Sequence, residues 1–250
     1  NYSEKAHMFV QECQLYSEVL FSVSRLTASI TGENFLGTIE KIIDCLGHAE
    51  GMRAKMHYPY LTEKKEAIVI PGGVSYSACG NDTLLINGSV DNRMSVIAHL
   101  LTYDWLWSEV RVRGGAYGTG FGASTTGLIH AYSYRDPDVK NALHAFRTCG
   151  KRLEELAEEN YDLSSMIIGT IAEAEPLLSP AASVRVADVW KFREIDYDLR
   201  TANRKRLLNM KAEDLAELAP VITRAMNEGA VCIVGNRATV ESLEGYTRID

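Results

Sequence analysis

A chain of 250 residues, 46% hydrophobic and 24% charged, has the composition of a globular protein long enough to bury a sizeable core, which excludes disordered and fibrous classes. Its 26 Lys and Arg against 33 Asp and Glu give a net charge of −7 with no basic tract, which argues against a nucleic-acid partner and suits a basic peptide. No apolar run approaches the roughly 20 residues that span a bilayer, and the start NYSEKAHMFVQ carries neither a cationic signal head nor an initiator Met, so the expectation is a non-membrane piece of something longer.

Residues 4–20 carry a helical pattern, and residues 24–30 alternate as a strand with Leu26, Ala28 and Ile30 on one face. After Thr31-Gly32, the residues Phe35, Leu36, Ile39, Ile42, Ile43 and Leu46 recur at the spacing of an amphipathic helix. A loop around Tyr58-Pro59-Tyr60 leads to two strand-like runs, EAIVIP and VSYSAC, split by Pro71-Gly72-Gly73. The next helix is expected to start from an Asp91 N-cap, turn Met94, Ile97, Leu101 and Trp105 inward, and end at Gly114-Gly115. Residues 116–124 and 128–134 read as a hairpin through Thr125-Thr126-Gly127. In YRDPD, Asp136 is placed as a cap and Pro137 at the first position of one long helix striped by Val139, Leu143, Phe146, Leu153 and Leu156. The rest is mainly helical, broken at Pro176, Ser179-Pro180 and Asp196, until residues 230–234 give a last short strand. With no linker or repeat, the economical reading is one α/β domain, a mixed sheet covered by helices on one face.

Gly118-Thr119-Gly120-Phe121-Gly122-Ala123 matches the dinucleotide fingerprint G-x-G-x-x-G/A. That motif needs a strand before it and a helix after it, and here the order is reversed. Glycines recurring in a strand point instead to a bulge or to the close approach of another group. The six histidines, His57 among them, are scattered. The nearest approach to the inverted zinc motif H-x-x-E-H is His99-Leu100-Leu101-Thr102-Tyr103, with Thr and Tyr where Glu and His are required, so no metal ligand is assigned. Cys13, Cys45, Cys79, Cys149 and Cys232 contain no C-x-x-C pair and read as free thiols of a reducing compartment, each a small core residue. Glu154, Glu155, Glu158 and Glu159 read as a solvated helix face. Arg111, Arg113 and Tyr117 then have two readings. They are solvated charges beside a half-buried strand aromatic, or they are a peptide clamp. In a clamp, guanidinium and phenol donate to backbone carbonyls while neighbouring glycines let an extended chain come close.

Residues 103–118 followed by Ser133-Tyr134-Arg135-Asp136-Pro137 resemble the C-terminal domain of presequence proteases, relatives of falcilysin and, more distantly, of insulin-degrading enzyme and pitrilysin. Residues 66–71 and 167–171 add to the likeness, which extends over most of the chain. The resemblance implies a pitrilysin-type α+β two-layer fold, with a mixed, largely antiparallel sheet and helices packed on one face. It implies a single, non-catalytic C-terminal domain over residues 1–250. The parent would be a zinc metalloendopeptidase that degrades unstructured peptides in a closed chamber. Its zinc would be bound by the N-terminal domain through H-x-x-E-H, with no metal in this fragment, which alone would be inactive. By position, Arg111 and Tyr117 are the implied site residues, orienting substrate and supporting the transition state. Gly114 and Gly115 shape the substrate-binding turn, while Arg113 lies off the family position. Arg135, Asp136 and Pro137 are implied to be architectural. The implied partners are the remaining N-terminal domains and peptide substrates, with neither nucleic acid nor membrane. The compartment is the cytoplasm, with an organelle matrix open to the family. The alternatives are a non-proteolytic structural or peptide-binding subunit of the same fold and a nucleotide-binding oxidoreductase.

Overall fold

The computed structural model describes residues 2–32, 36–48 and 64–250. They divide into two units, one drawn from residues 1–59 and 177–196, the other from 60–176 and 197–250. Phe35, His57 and the loop at Tyr58-Pro59-Tyr60 lie outside the described residues.

The first unit opens with α1 (Tyr2–Leu20) and α2 (Leu36–Asp44), as the periodicity predicts. Residues 24–30 do not form the expected strand. Val23–Arg25 is a single 3₁₀ turn, and extended coil follows it. Alternation alone does not hold a strand: Leu26 and Ile30 remain 36% and 45% exposed, so no buried face fixes them, and the one bridge nearby joins Ser22 to Gly47. Ser22 alone is buried among this unit's described residues, so Cys13 and Cys45 are exposed rather than core residues.

The second unit runs through β1 (Lys65–Val69), β2 (Ser75–Asp82), α3 (Thr83–Asn87), α4 (Met94–Leu100) and a π-helix (Leu101–Arg113). It continues with β3 (Gly118–Ala123), β4 (Leu128–Asp136), α5 (Val139–Arg147), α6 (Cys149–Glu158) and α7 (Ser164–Ala174). The chain supplies α8 (Pro180–Phe192) to the first unit. It returns to the second as α9 (Tyr197–Leu208), α10 (Ala212–Glu228), β5 (Ala230–Gly235), α11 (Arg237–Glu241) and β6 (Thr247–Ile249).

Among the described residues six strands form one sheet in the order β3-β4-β2-β5-β1-β6. The pairs β3–β4, β4–β2 and β2–β5 are antiparallel, and β1 lies parallel to both β5 and β6. This is the mixed, largely antiparallel sheet expected. Alternation along the strands turns Ser77, Cys79, Ile129, Ala131, Val231 and Ile233 toward the core and leaves Tyr76, Ala78, His130, Tyr132 and Tyr134 on the other face. The core is completed by Leu215, Leu218, Ile222 and Met226 of α10 and by Leu143 and Phe146 of α5, each contributing about 1.5–3 kcal/mol by leaving water.

Two local expectations are corrected here. The long helix after β4 is two, because Thr148 closes α5 and precedes α6, its hydroxyl donating to the carbonyl of His144 at 2.9 Å, a back-bond that bends helices. The cap is Asp138 rather than Asp136: Asp138 accepts from the Asn141 amide at 3.1 Å, and Pro137 falls outside the helix. Asp136 instead accepts the Asp138 amide at 2.8 Å.

Candidate functional site

The candidate residues lie in the π-helix and in the turn that follows it. At the 3.6-residue period Trp105 should lie inward beneath Leu101, yet the buried positions are Leu101, Leu106 and Val110, spaced by five and four. That wider spacing follows from i→i+5 bonding, which is concentrated at functional sites. Trp105 is therefore only half-buried and donates its Nε1–H to the carbonyl of Ala145 in α5 at 2.9 Å.

At its start the helix is pinned by charge. Asp91 accepts the Arg93 amide at 2.9 Å, but α4 begins only at Met94, with Arg93 in the cap position. The Arg93 side chain, 7% exposed, reaches Asp91 at 2.7 Å, Glu217 at 2.8 Å and Asp214 at 2.5 Å, tying α4 to α10. Burial pushes the Asp91 carboxyl up, but bonds from Arg93 and the charge of Arg206 outweigh it, leaving the group below the usual carboxylate range. Glu217 is held low chiefly by its hydrogen bond from Arg93.

At the far end the helix unwinds into a fastened turn. Gly114 N–H donates to Glu109 O at 3.1 Å, Gly115 N–H to Arg111 O at 3.0 Å, and Ala116 N–H to Val110 O at 3.1 Å. The Asn141 side-chain amide adds a bond to Glu109 O at 2.9 Å. Gly115 sits at φ 80°, in the left-handed region that favours glycine. Gly114 is close-packed, since a Cβ there would stand 2.5 Å from Val110 O. Tyr117 then docks on β4, its amide donating to the carbonyl of Arg135 at 3.3 Å, where the register of β4 slips against β2 and Arg135 takes φ 49°.

Arg111 and Tyr117 thus flank one rigid turn. The guanidinium carbon of Arg111 lies 3.9 Å from the Trp107 ring centre. Tyr117, 68% exposed, meets Tyr134 edge-on at 6.0 Å, and Tyr134 meets Tyr76 at 5.3 Å. Arg113 is an exposed partner of Glu109 at 2.5 Å, an i,i+4 surface pair.

The glycines of β3 have a separate role. In register, Gly118 faces Tyr134, Gly120 faces Tyr132 and Gly122 faces His130. The rings fold across the glycine strand: a Cβ on Gly120 would stand 3.0 Å from the Tyr132 ring, and one on Gly122 would stand 2.4 Å from His130 Cε1. This aromatic row is not among the expectations drawn from the sequence, although its signal is present in H-A-Y-S-Y running opposite G-T-G-F-G.

The near-motif at His99 forms a different contact set. His99 Nδ1 lies 3.6 Å from Glu173 of α7 and its ring 4.7 Å from that of Tyr103. Thr102 Oγ1 accepts from the Phe121 amide at 2.9 Å, occupying the edge of β3. A groove of about 340 Å³ lies between them. Among the described residues no group of three His, Cys, Asp or Glu could hold a metal ion, so these described residues do not fit a zinc centre. Cys79 and Cys149 are core thiols. Burial pushes Cys79 up to about 11 and raises Cys149 as well, which removes both as nucleophiles. Cys232 is half-buried, because it points to the open sheet face.

Comparison with known proteins places these features in context. The model of the PreP C-terminal domain matches residues 65–237. Protein HypA of Clostridium perfringens is 25% identical over 229 residues, covering 90% of this chain and 23% of that protein. Presequence protease 1, chloroplastic/mitochondrial, of Arabidopsis thaliana is 28% identical over 181 residues, 72% of this chain and 17% of that one. The chain therefore spans less than a quarter of these relatives' length. The structure of pitrilysin superposes with a TM-score of 0.56 at 12% identity, over 86% of this chain and 25% of that one. The peptidase M16 inactive domain of Pseudomonas fluorescens gives 0.51 at 13%, over 84% and 50%. At such identities the likeness is one of fold.

Proposed function

The chain belongs to the PreP C-terminal domain family, and from that premise we propose that it is the non-catalytic, substrate-holding domain of a zinc metalloendopeptidase that degrades unstructured peptides in a closed chamber. The observation that carries this reading is that the family match spans the segment in which Arg111 and Tyr117 flank one fastened turn. The fork of Arg111 and the hydroxyl of Tyr117 donate to substrate carbonyls beside the scissile bond. They fix a productive pose and support charge that develops in the transition state. Stacking on Trp107 orders the guanidinium beforehand, so less freedom is lost when substrate arrives. Gly114 and Gly115 keep the turn thin enough for a chain to pass.

Zinc is assigned to the N-terminal part of the same polypeptide, outside residues 1–250, and the part played by these residues is orientation. On this reading residues 1–250 act as one C-terminal domain, with the remaining domains and peptide substrates as partners. Relatives are named as mitochondrial or chloroplastic, and another comes from a bacterium, so the proposed compartment is a reducing interior, organelle matrix or cytoplasm.

The test is to incubate the complete polypeptide with an unstructured peptide, with and without a chelator. Cleavage that the chelator abolishes and zinc restores is the expected result, with residues 1–250 alone inactive. No cleavage, together with no H-x-x-E-H elsewhere in the polypeptide, sinks the reading and leaves a non-proteolytic structural or peptide-binding subunit.

A further inference from the structure

The sheet face turned away from the core is ordered by register. Gly120, Tyr132, Ala78, Cys232 and Glu66 pair in turn across five strands, and Gly122, His130, Gly80 and Ala230 form the next row. Both rows are aromatic at β4 and small at β2 and β5, so the surface drops from the rings into a trough of about 510 Å³. Ala78, Gly80, Ala230 and Cys232 form its floor, and His130 is one wall.

The trough is apolar below and acidic at its rim. Glu66, Asp82 and Glu228 line it against one ammonium, that of Lys64, which donates to the carbonyl of Glu228 at 3.4 Å. Glu228 is bridged to Arg224 at 3.0 Å and Asp82 accepts the Leu84 amide at 2.8 Å, so Glu66 is the principal acid. An apolar floor beneath carboxylates complements a lysine or arginine side chain, whose stem covers apolar surface while its head stays among charges.

A path joins this trough to the turn at Tyr117. Tyr117 meets Tyr134, and Tyr134, Tyr132 and His130 then project from alternate positions of β4 onto the open face. From Tyr134 to His130 is about 13 Å at the strand rise, which is about four residues of an extended peptide. We propose that the trough is a subsite for a cationic side chain of an extended peptide, about five residues from the residue held at Tyr117, whose place opposite Arg135 lies five positions from His130. This rests on the reading of the parent polypeptide as a peptide-handling protein.

The test uses the complete polypeptide and a set of labelled, unstructured, otherwise neutral peptides in which a single lysine is moved one position at a time. Binding is read by fluorescence anisotropy with a chelator present, and KM by cleavage without it. One lysine position is expected to bind about tenfold tighter than the others. The double substitution Glu66→Gln with Glu228→Gln should remove that advantage. So should Ala78→Trp, which fills the trough from an exposed position, and neither should alter the neutral peptide. Affinity independent of lysine position, or a dependence that both variants leave intact, overturns the subsite. A polypeptide that shows the dependence but cleaves nothing keeps the subsite and removes the peptidase reading. One that cleaves every peptide with the same KM does the reverse.

Discussion

The guanidinium carbon of Arg111 stands 3.9 Å from the centre of the Trp107 ring, four residues back on the same π-helix. A cation so placed gains about 0.5–2 kcal/mol and, more usefully, keeps its fork of donors in one plane. In the complete polypeptide, Arg111→Ala should lower kcat/KM for an unstructured peptide about 10²-fold, and Tyr117→Phe about tenfold, with zinc content unchanged by metal analysis. Unchanged kinetics in both variants removes the pair from the mechanism.

The fit of Gly122 beneath His130 leads to a coupled prediction. Gly122→Ala drives a Cβ to 2.4 Å from His130 Cε1 and should cost about 1–3 kcal/mol in denaturant unfolding. In a His130→Ala background the same substitution should be nearly neutral, giving a coupling energy of about 1 kcal/mol or more. Additive effects would mean that the ring does not lie on the glycine.

Arg93 should be the cation on which the second unit most depends. Arg93→Met leaves the carboxylates of Asp91, Asp214 and Glu217 facing one another, and a loss of about 2 kcal/mol is expected. The acid limb provides the sign. Asp91 and Glu217 have folded pKa values below their unfolded ones, so their stabilisation is complete above the ordinary carboxylate range and is lost as pH falls through the folded values. Stability of the native protein should therefore drop below about pH 4, and the drop should be shallower in Arg93→Met. An equal slope in the two proteins would contradict the arrangement.

Cys79 and Cys149 should resist alkylation. Both are buried, and the Cys79 thiol, pushed up to about 11 by desolvation, is almost wholly protonated at pH 8. Mass spectrometry after iodoacetamide should find both unmodified in the folded protein and modified in denaturant. Labelling of Cys149 under native conditions would show that the α5–α6 region opens, and labelling of Cys79 that β2 parts from α10.

Much of the sheet is legible in the sequence because Ile129, Ala131 and Ser133 alternate against His130, Tyr132 and Tyr134, and because Gly114-Gly115 marks the turn. Residues 24–30 have the same alternation but form no strand, and pattern alone does not separate the two cases. The winding of residues 101–113 is hidden for another reason. A 3.6-residue template groups Trp105 with Leu101, whereas the fold groups Leu106 and Val110 with it. Arg93 reads as an ordinary surface cation, because Asp214 and Glu217 lie more than a hundred residues away and only packing brings them near. The short α11 and β6 leave too few buried residues for periodicity to register.

In the segment Leu101–Arg113 the direction of Arg111 is a matter of counting. A helix advances by roughly 100° per residue, so deleting one residue between Leu101 and Leu106 while the winding is kept would carry Trp107 and Arg111 together by about that angle. Charge would be unaltered by loss of a neutral residue, and the stacked pair would survive, yet it would face another way. The aim of this side chain is therefore set by the length of the helix as much as by chemistry, a variable that point substitution never samples and that a one-residue deletion series would.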